Sequence, residues 1–128
     1  MATNKSLADI KEKLLLSEPH SARSKQELHY TKFPESATTI PAGTQVQLHF
    51  SEVNPSRYYF EYGGFIRSGL LINAYKNFSG FKKPPSPSFI QKMEWERGVC
   101  RTPLGNITEP DGYDQFGAPS WMLVMGVI

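Results

Sequence analysis

The chain has 128 residues, 39% of them hydrophobic and 20% charged, which is enough for one hydrophobic core and excludes the disordered class. Its 14 basic and 12 acidic residues leave a net charge of +2, too little for a generic binder of nucleic-acid backbone. The one cysteine, Cys100, excludes a disulfide within the chain; with no bilayer-length apolar run and no signal-peptide core at the start, a cytoplasmic setting is expected.

Ser6 and Asp9 have the spacing of a capping box, so a helix is predicted in which Leu7, Ile10 and Leu14 share a face. Pro19 ends it, because the residue before a proline is pushed out of the α region. Residues 17–27 are polar and read as a mobile connector. Together, residues 1–27 are expected to form a helix on a leash, an oligomerisation element, leaving 28–128 as a single globular domain. A helix this short is marginal unless it packs on a partner or on its own domain.

Strand-like alternation begins at Leu28 and is clearest over residues 44–50, where Val46, Leu48 and Phe50 face one way and Gln45, Gln47 and His49 the other. Turns are expected at Pro41-Ala42-Gly43 and at Asn54-Pro55-Ser56. Residues 58–62 and 65–68 form a predicted hairpin about Gly63-Gly64, a dipeptide suited to the positive φ angles of a tight turn. Leu71, Ala74, Tyr75 and Phe78 recur at helical spacing, with Gly80 placed as a stop. Beyond the stiff Lys82-Lys83-Pro84-Pro85 connector, Ser86 is a cap, Pro87 a first-turn residue and Gly98 a terminator of a further helix. Ile90, Met93 and Trp95 or Glu96 define its faces. The apolar Trp121–Met125 segment is expected to close the core. The whole reads as an α+β fold: a small antiparallel sheet or partial barrel, an N-terminal helix and two further short helices.

No Gly-x-Ser-x-Gly, His-Glu-x-x-His, phosphate-loop or Cys-x-x-Cys motif is present, so the chain is expected not to be an enzyme and to use no cofactor or metal. A Cys-His pair between Cys100 and His20, His29 or His49 would have to be assembled by folding alone. Glu109, Asp111 and Asp114 crowd together but lack EF-hand spacing, so a turn at Asp111-Gly112 is the simpler reading, with a contact to a ligand hydroxyl as the alternative. The run from Asn73 to Lys83 is more suggestive of a site. Its aromatics offer stacking faces, its amides can meet a base edge and its lysines can meet phosphate, although an amphipathic helix with Tyr75 and Phe78 in the core explains it equally well. Arg57 and Arg67 flank the hairpin; Arg101, Thr102 and Gly105 form a second basic and small cluster. On chemistry alone the candidate ligand contacts are Arg57, Tyr75, Asn77, Phe81, Arg101 and Asp111. A helix over 86–97 followed by a turn-rich hairpin also has the outline of a helix and wing, but Glu94 and Glu96 beside Lys92 and Arg97 disfavour a phosphate-lined groove.

The motifs Gly80-Phe81-x-Lys83-Pro84-Pro85-Ser86, Thr102-Pro103-Leu104-Gly105, Glu109-Pro110-Asp111-Gly112 and Gly117-x-Pro119-Ser120-Trp121-Met122-Leu123, with the closing Gly126-Val127-Ile128, resemble those of small bacteriophage proteins. The best match among these is the first Thoeris anti-defence family, sponges for cyclic ADP-ribose-type signals. The resemblance covers about the last fifty residues. It implies a homo-oligomer that sequesters a cyclic nucleotide without cleaving it, in pockets shared between subunits, and some relatives also hold cyclic oligonucleotides in separate sites. The family's pocket residues cannot be matched one by one, so the six contacts above stand on chemistry. Two alternatives remain: an inhibitor or regulator of anti-CRISPR type that binds nucleic acid or a host protein, and a virion or assembly component.

Overall fold

The computed structural model describes residues 7–127 and has the α+β architecture expected. The Ser6 cap lies outside the described residues. Helix α1, Leu7–Leu14, stops three residues before Ser17, the last residue the Pro19 argument allows. Leu15 turns into the left-handed region, at φ 50°, and the Leu16 N–H closes back onto the Lys11 carbonyl at 3.0 Å. The cause is tertiary: Leu16 is buried and bridges to Ser51, whose hydroxyl bonds the Leu14 carbonyl at 2.5 Å. No residue of α1 is itself buried.

The expected connector is corrected by the structure. Residues His20–Arg23 form strand β1, paired antiparallel with Gln45–Phe50, strand β4, in a register that sets Ala22 opposite Val46. The globular body therefore includes residues placed before Leu28. Beyond β1 lie β2, Leu28–Tyr30, and β3, Thr38–Ile40, which pair with each other across a 3-10 turn at Pro34–Ser36. Strands β5, Arg57–Tyr62, and β6, Phe65–Leu70, complete a four-stranded antiparallel sheet in the order β1-β4-β5-β6.

The alternation in β4 is as expected, with Val46, Leu48 and Phe50 buried. His49 is the exception on the polar face: it is also buried, and its Nδ1 lies 2.8 Å from the Ser17 carbonyl. The β5–β6 hairpin turns on Gly63 and Gly64, at φ 64° and 82°, a conformation that residues with a Cβ resist. Tyr58 faces Gly69 across this hairpin, and a Cβ at Gly69 would lie 2.3 Å from the Tyr58 hydroxyl. The tyrosine ring thus occupies the space a side chain would need.

The helix expected over 71–78 is short: a 3-10 turn, Leu71–Asn73, runs into α2, Ala74–Asn77, and Phe78 is already extended. Leu71, Ala74 and Phe78 are buried as their spacing predicts. Helix α3, Pro87–Arg97, starts where Ser86 Oγ accepts the Phe89 N–H at 3.2 Å, and Ile90 and Met93 face inward; the Trp95 side chain lies outside the described residues. A two-residue pair, β7 Cys100–Arg101 and β8 Ile107–Thr108, follows. The closing apolar segment is a fourth helix, α4 Trp121–Met125, capped by Ser120 and ended by Gly126 at φ 70°. Trp121, Met122 and Val124 enter the core formed by Phe50, Tyr58, Phe60 and Phe78. No helix among the described residues is long and apolar enough to cross a membrane.

His20 sits at one end of this core against Phe116, Phe50 and Phe81, with ring centroids 5.2, 6.3 and 6.3 Å away. Burial lowers its pKa below the ordinary 6.5, and the Asp114 carboxylate opposes that only in part. Because the folded state then binds this proton less readily than the unfolded chain, stability is undiminished above about pH 6.5 and falls as the solution is acidified through the folded-state value. Thermal melts of wild type and His20→Phe at stepwise lower pH from 7 should show the difference moving in the variant's favour below that point. A difference that is flat with pH would remove His20 from the acid response.

Candidate ligand-binding groove

Among the described residues strand β2 pairs with β3 alone and β6 with β5 alone, and a groove lies between the two strands. One wall is His29–Phe33 with Ser36, and the other is Arg57, Ile66, Arg67 and Ser68. The space is about 650 Å³, in the range that takes a nucleotide-sized molecule. Three cations line it, Lys32, Arg57 and Arg67, and none of the described residues lining it is acidic.

The cations differ in what they are free to do. Arg67 is buried and engaged: its Nε and Nη2 donate to the Tyr62 carbonyl at 3.1 and 3.0 Å, and its Nη1 to the Ser36 carbonyl at 2.5 Å. Its guanidinium also lies over the rings of Tyr30 and Phe65, 5.8 and 5.4 Å from their centroids. Arg57 is half-buried and bonded through Nη1 to Ser68 Oγ at 3.2 Å, which leaves donors for a ligand. Lys32 is exposed, with its ammonium 5.4 Å from the centroid of the exposed Phe33 ring.

Past His29, Tyr30 and Ser68 the groove continues into a smaller space of about 420 Å³, which Gln26, Glu27, Asn73, Asn77 and Tyr58 help to line. Gln26 Nε2 donates to Asn77 Oδ1 at 3.3 Å, and the Tyr58 hydroxyl shares hydrogen bonds with Asn77 and Tyr30. Burial pushes the Tyr30 phenol well above the usual tyrosine range and raises that of Tyr58, so both stay neutral hydrogen-bonding groups at physiological pH. His29 bridges Thr39 Oγ1 at 3.1 Å and the Glu27 carboxylate at 3.3 Å.

Of the six contacts chosen from sequence, Arg57 lines the larger space and Asn77 the smaller. The other four are not brought to the groove. Tyr75 packs half-buried against the core, Lys76 Nζ lies 5.8 Å from its ring centroid, and its carbonyl accepts from Lys25 Nζ at 2.9 Å. Phe81 is 8% exposed and packs against Phe50 and His20, so it is a core ring and not a stacking platform. Arg101 is exposed on β7 and donates to the Gly105 carbonyl at 3.3 Å. Asp111 is exposed in the turn closed by the Gly112 N–H onto the Glu109 carbonyl. The carboxylate that bonds the backbone here is Asp114, not Asp111. Its Oδ1 accepts the N–H groups of Phe116 and Ala118 at 2.9 and 3.0 Å, and its Oδ2 accepts Thr102 Oγ1 and Asn106 Nδ2 at 2.9 and 3.0 Å.

No protein-family model, curated protein or solved structure matches this chain. The groove must therefore be read from its own chemistry. Sequence reasoning passed over Tyr30, Lys32 and Phe33, although Tyr30-Thr31-Lys32-Phe33 places aromatic and basic residues as closely together as the 73–83 run does; Asn73 stood at the head of that run but was not among the six contacts chosen. Helix α3 and the β7–β8 pair do have the order of a helix and wing, but α3 exposes Glu96 beside Lys92 and Arg97. Among the described residues no group of three or more His, Cys, Asp or Glu side chains is placed to hold a metal ion. Cys100 is buried, its Sγ 3.5 Å from the Arg101 carbonyl.

If Phe81 is a core ring, Phe81→Ala should destabilise the fold by about 3–5 kcal/mol, the cost of removing a buried phenylalanine. Urea unfolding measures this directly. A loss below about 1 kcal/mol would mean that the ring is not packed as described.

Proposed function

We propose that the chain binds and sequesters a small phosphorylated ligand of the cyclic ADP-ribose type in the β2–β6 groove, without cleaving it. The observation that carries this reading is a nucleotide-sized groove with three cations and no acidic residue among the described residues of its larger part, flanked by the rings of Tyr30 and Phe33. Arg57, fixed by Ser68, supplies charge-assisted donors to a phosphate, and Lys32 adds a flexible second charge. Phe33 offers an exposed ring for stacking, a contact worth about 1–3 kcal/mol per base. The resemblance of the C-terminal motifs to the first Thoeris anti-defence family supplies the ligand class and, with it, a phage anti-defence role in the host cytosol.

The proposal includes assembly of identical copies. Helix α1 buries none of its residues within one copy, which makes it the element offered for that contact. Light scattering should then give a mass that is a multiple of 14.5 kDa.

The ligand reading is tested by incubating the protein with cyclic ADP-ribose isomers, removing unbound material, heating, and identifying what is released. Intact signal supports sequestration, altered nucleotide means catalysis, and nothing retained overturns the reading. Arg57→Ala should weaken retention about 10- to 100-fold, as expected for a lost charge-assisted contact, with little change in melting temperature. Arg57→Lys should recover only part of this, because an ammonium lacks the planar fork.

A further inference from the structure

The groove has two ends of opposite character. Lys32, Arg57 and Arg67 lie at one, and the smaller space at the other carries Glu27 and carboxamides. On the reading that the cationic end takes phosphate, this polarity orients a ligand: its anionic part is drawn to Arg57 and kept from Glu27.

Within the smaller space most polar groups are already committed to one another. Gln26 is bonded to Asn77, Asn77 and Tyr30 to Tyr58, and Glu27 to His29. Asn73 differs. It ends the 3-10 turn Leu71–Asn73, does not cap α2, and its exposed amide makes no hydrogen bond to another described residue. It lies one turn before Asn77, so the two amides project from the same side of the helical segment. In the same lining, Leu70 offers an apolar, part-exposed surface on which a flat ring can lie.

We infer that this second space is the ring-reading subsite for the phosphorylated ligand, and that Asn73 recognises an adenine edge there. A carboxamide presents one donor beside one acceptor. On the N7 edge, that pair complements the N6 amine and N7 of adenine, whereas hypoxanthine and guanine present two acceptors there, O6 and N7, one of which would meet the Asn73 Oδ1 lone pairs. Selectivity for adenine then comes from Asn73, and phosphate affinity from Arg57.

Calorimetric titration of ADP-ribose, of its hypoxanthine counterpart and of pyrophosphate into the full chain separates these roles. Wild type should prefer ADP-ribose over the hypoxanthine form by roughly 5- to 100-fold, the range for one good bidentate pair. Asn73→Ala should erase the preference and leave pyrophosphate binding unchanged; Arg57→Ala should weaken all three ligands together. Since Asn73 is exposed and unbonded, loss of folding will not obscure the result, and an unshifted melting temperature checks this. Equal affinity of wild type for the two ribose ligands, or a preference that survives Asn73→Ala, overturns the assignment while leaving the phosphate site standing. Failure of wild type to bind even pyrophosphate overturns the phosphate reading and the subsite with it.

Discussion

One buried guanidinium ties the two walls of the groove together. Arg67 projects from β6, yet it bonds the carbonyl of Ser36, which belongs to the turn between β2 and β3, and the rings of Tyr30 and Phe65 flank its charge. The two-stranded β2–β3 unit pairs with no strand of the main sheet, so this contact ties it to the β5–β6 hairpin. Burying an ion is costly, and here three N–H groups directed at carbonyl oxygens and two aromatic faces offset that cost. A lysine at this position could not reach both carbonyls with a planar fork. The clamp also divides labour among the cations, since Arg67 holds the walls and Arg57 and Lys32 remain for whatever enters.

The far end of the chain is organised by a different charge. Asp114 gathers four donors from Thr102, Asn106, Phe116 and Ala118, folding the turn-rich stretch after β7 around one carboxylate. Ser120 then caps α4 while its hydroxyl donates to the Pro110 carbonyl, and Trp121 enters the core. Gly112 and Gly117 are required by close approach: a Cβ would lie 2.7 Å from Thr108 Oγ1 in the first case and 2.6 Å from Ser17 Cβ in the second. Gly112, Gly117, Asp114 and Ser120 in this region therefore each have a scaffolding role.

This explains which parts of the molecule could be read from sequence. The β5–β6 hairpin, the inward face of β4, the Ser86 start of α3 and the closing Trp121 segment depend on neighbours within a few residues, and local pattern is sufficient for them. Strand β1 was hidden because His-Ser-Ala-Arg buries only Ala22 fully, and its identity as a strand comes from pairing with β4, more than twenty residues away. The groove was hidden for the same reason on a larger scale: its walls come from 29–36 and 57–68 and are joined by Arg67 and by the packing of Tyr30 on Phe60. Phe81 and Phe33 show the limit of residue chemistry. Both are phenylalanines next to a lysine in sequence, but one is packed on Phe50 and the other is about half exposed, at 49%.

The same division bears on how a sequestering protein would obtain affinity. Ordering a flexible wall at the moment of binding would subtract from the contact energy, so a groove whose walls are fixed beforehand retains more of it. Arg67 provides that fixing, and the hydrogen-bonded chain from Gln26 through Asn77 and Tyr58 to Tyr30 provides it at the other end. Exposed Lys32 is set apart from this framework and would chiefly speed the encounter with an anion, whereas Arg57, held by Ser68, would slow its departure. On the proposed reading of the chain as a sequestering protein, slow departure would be the property that matters, which would place the weight on Arg57 and its hydroxyl partner.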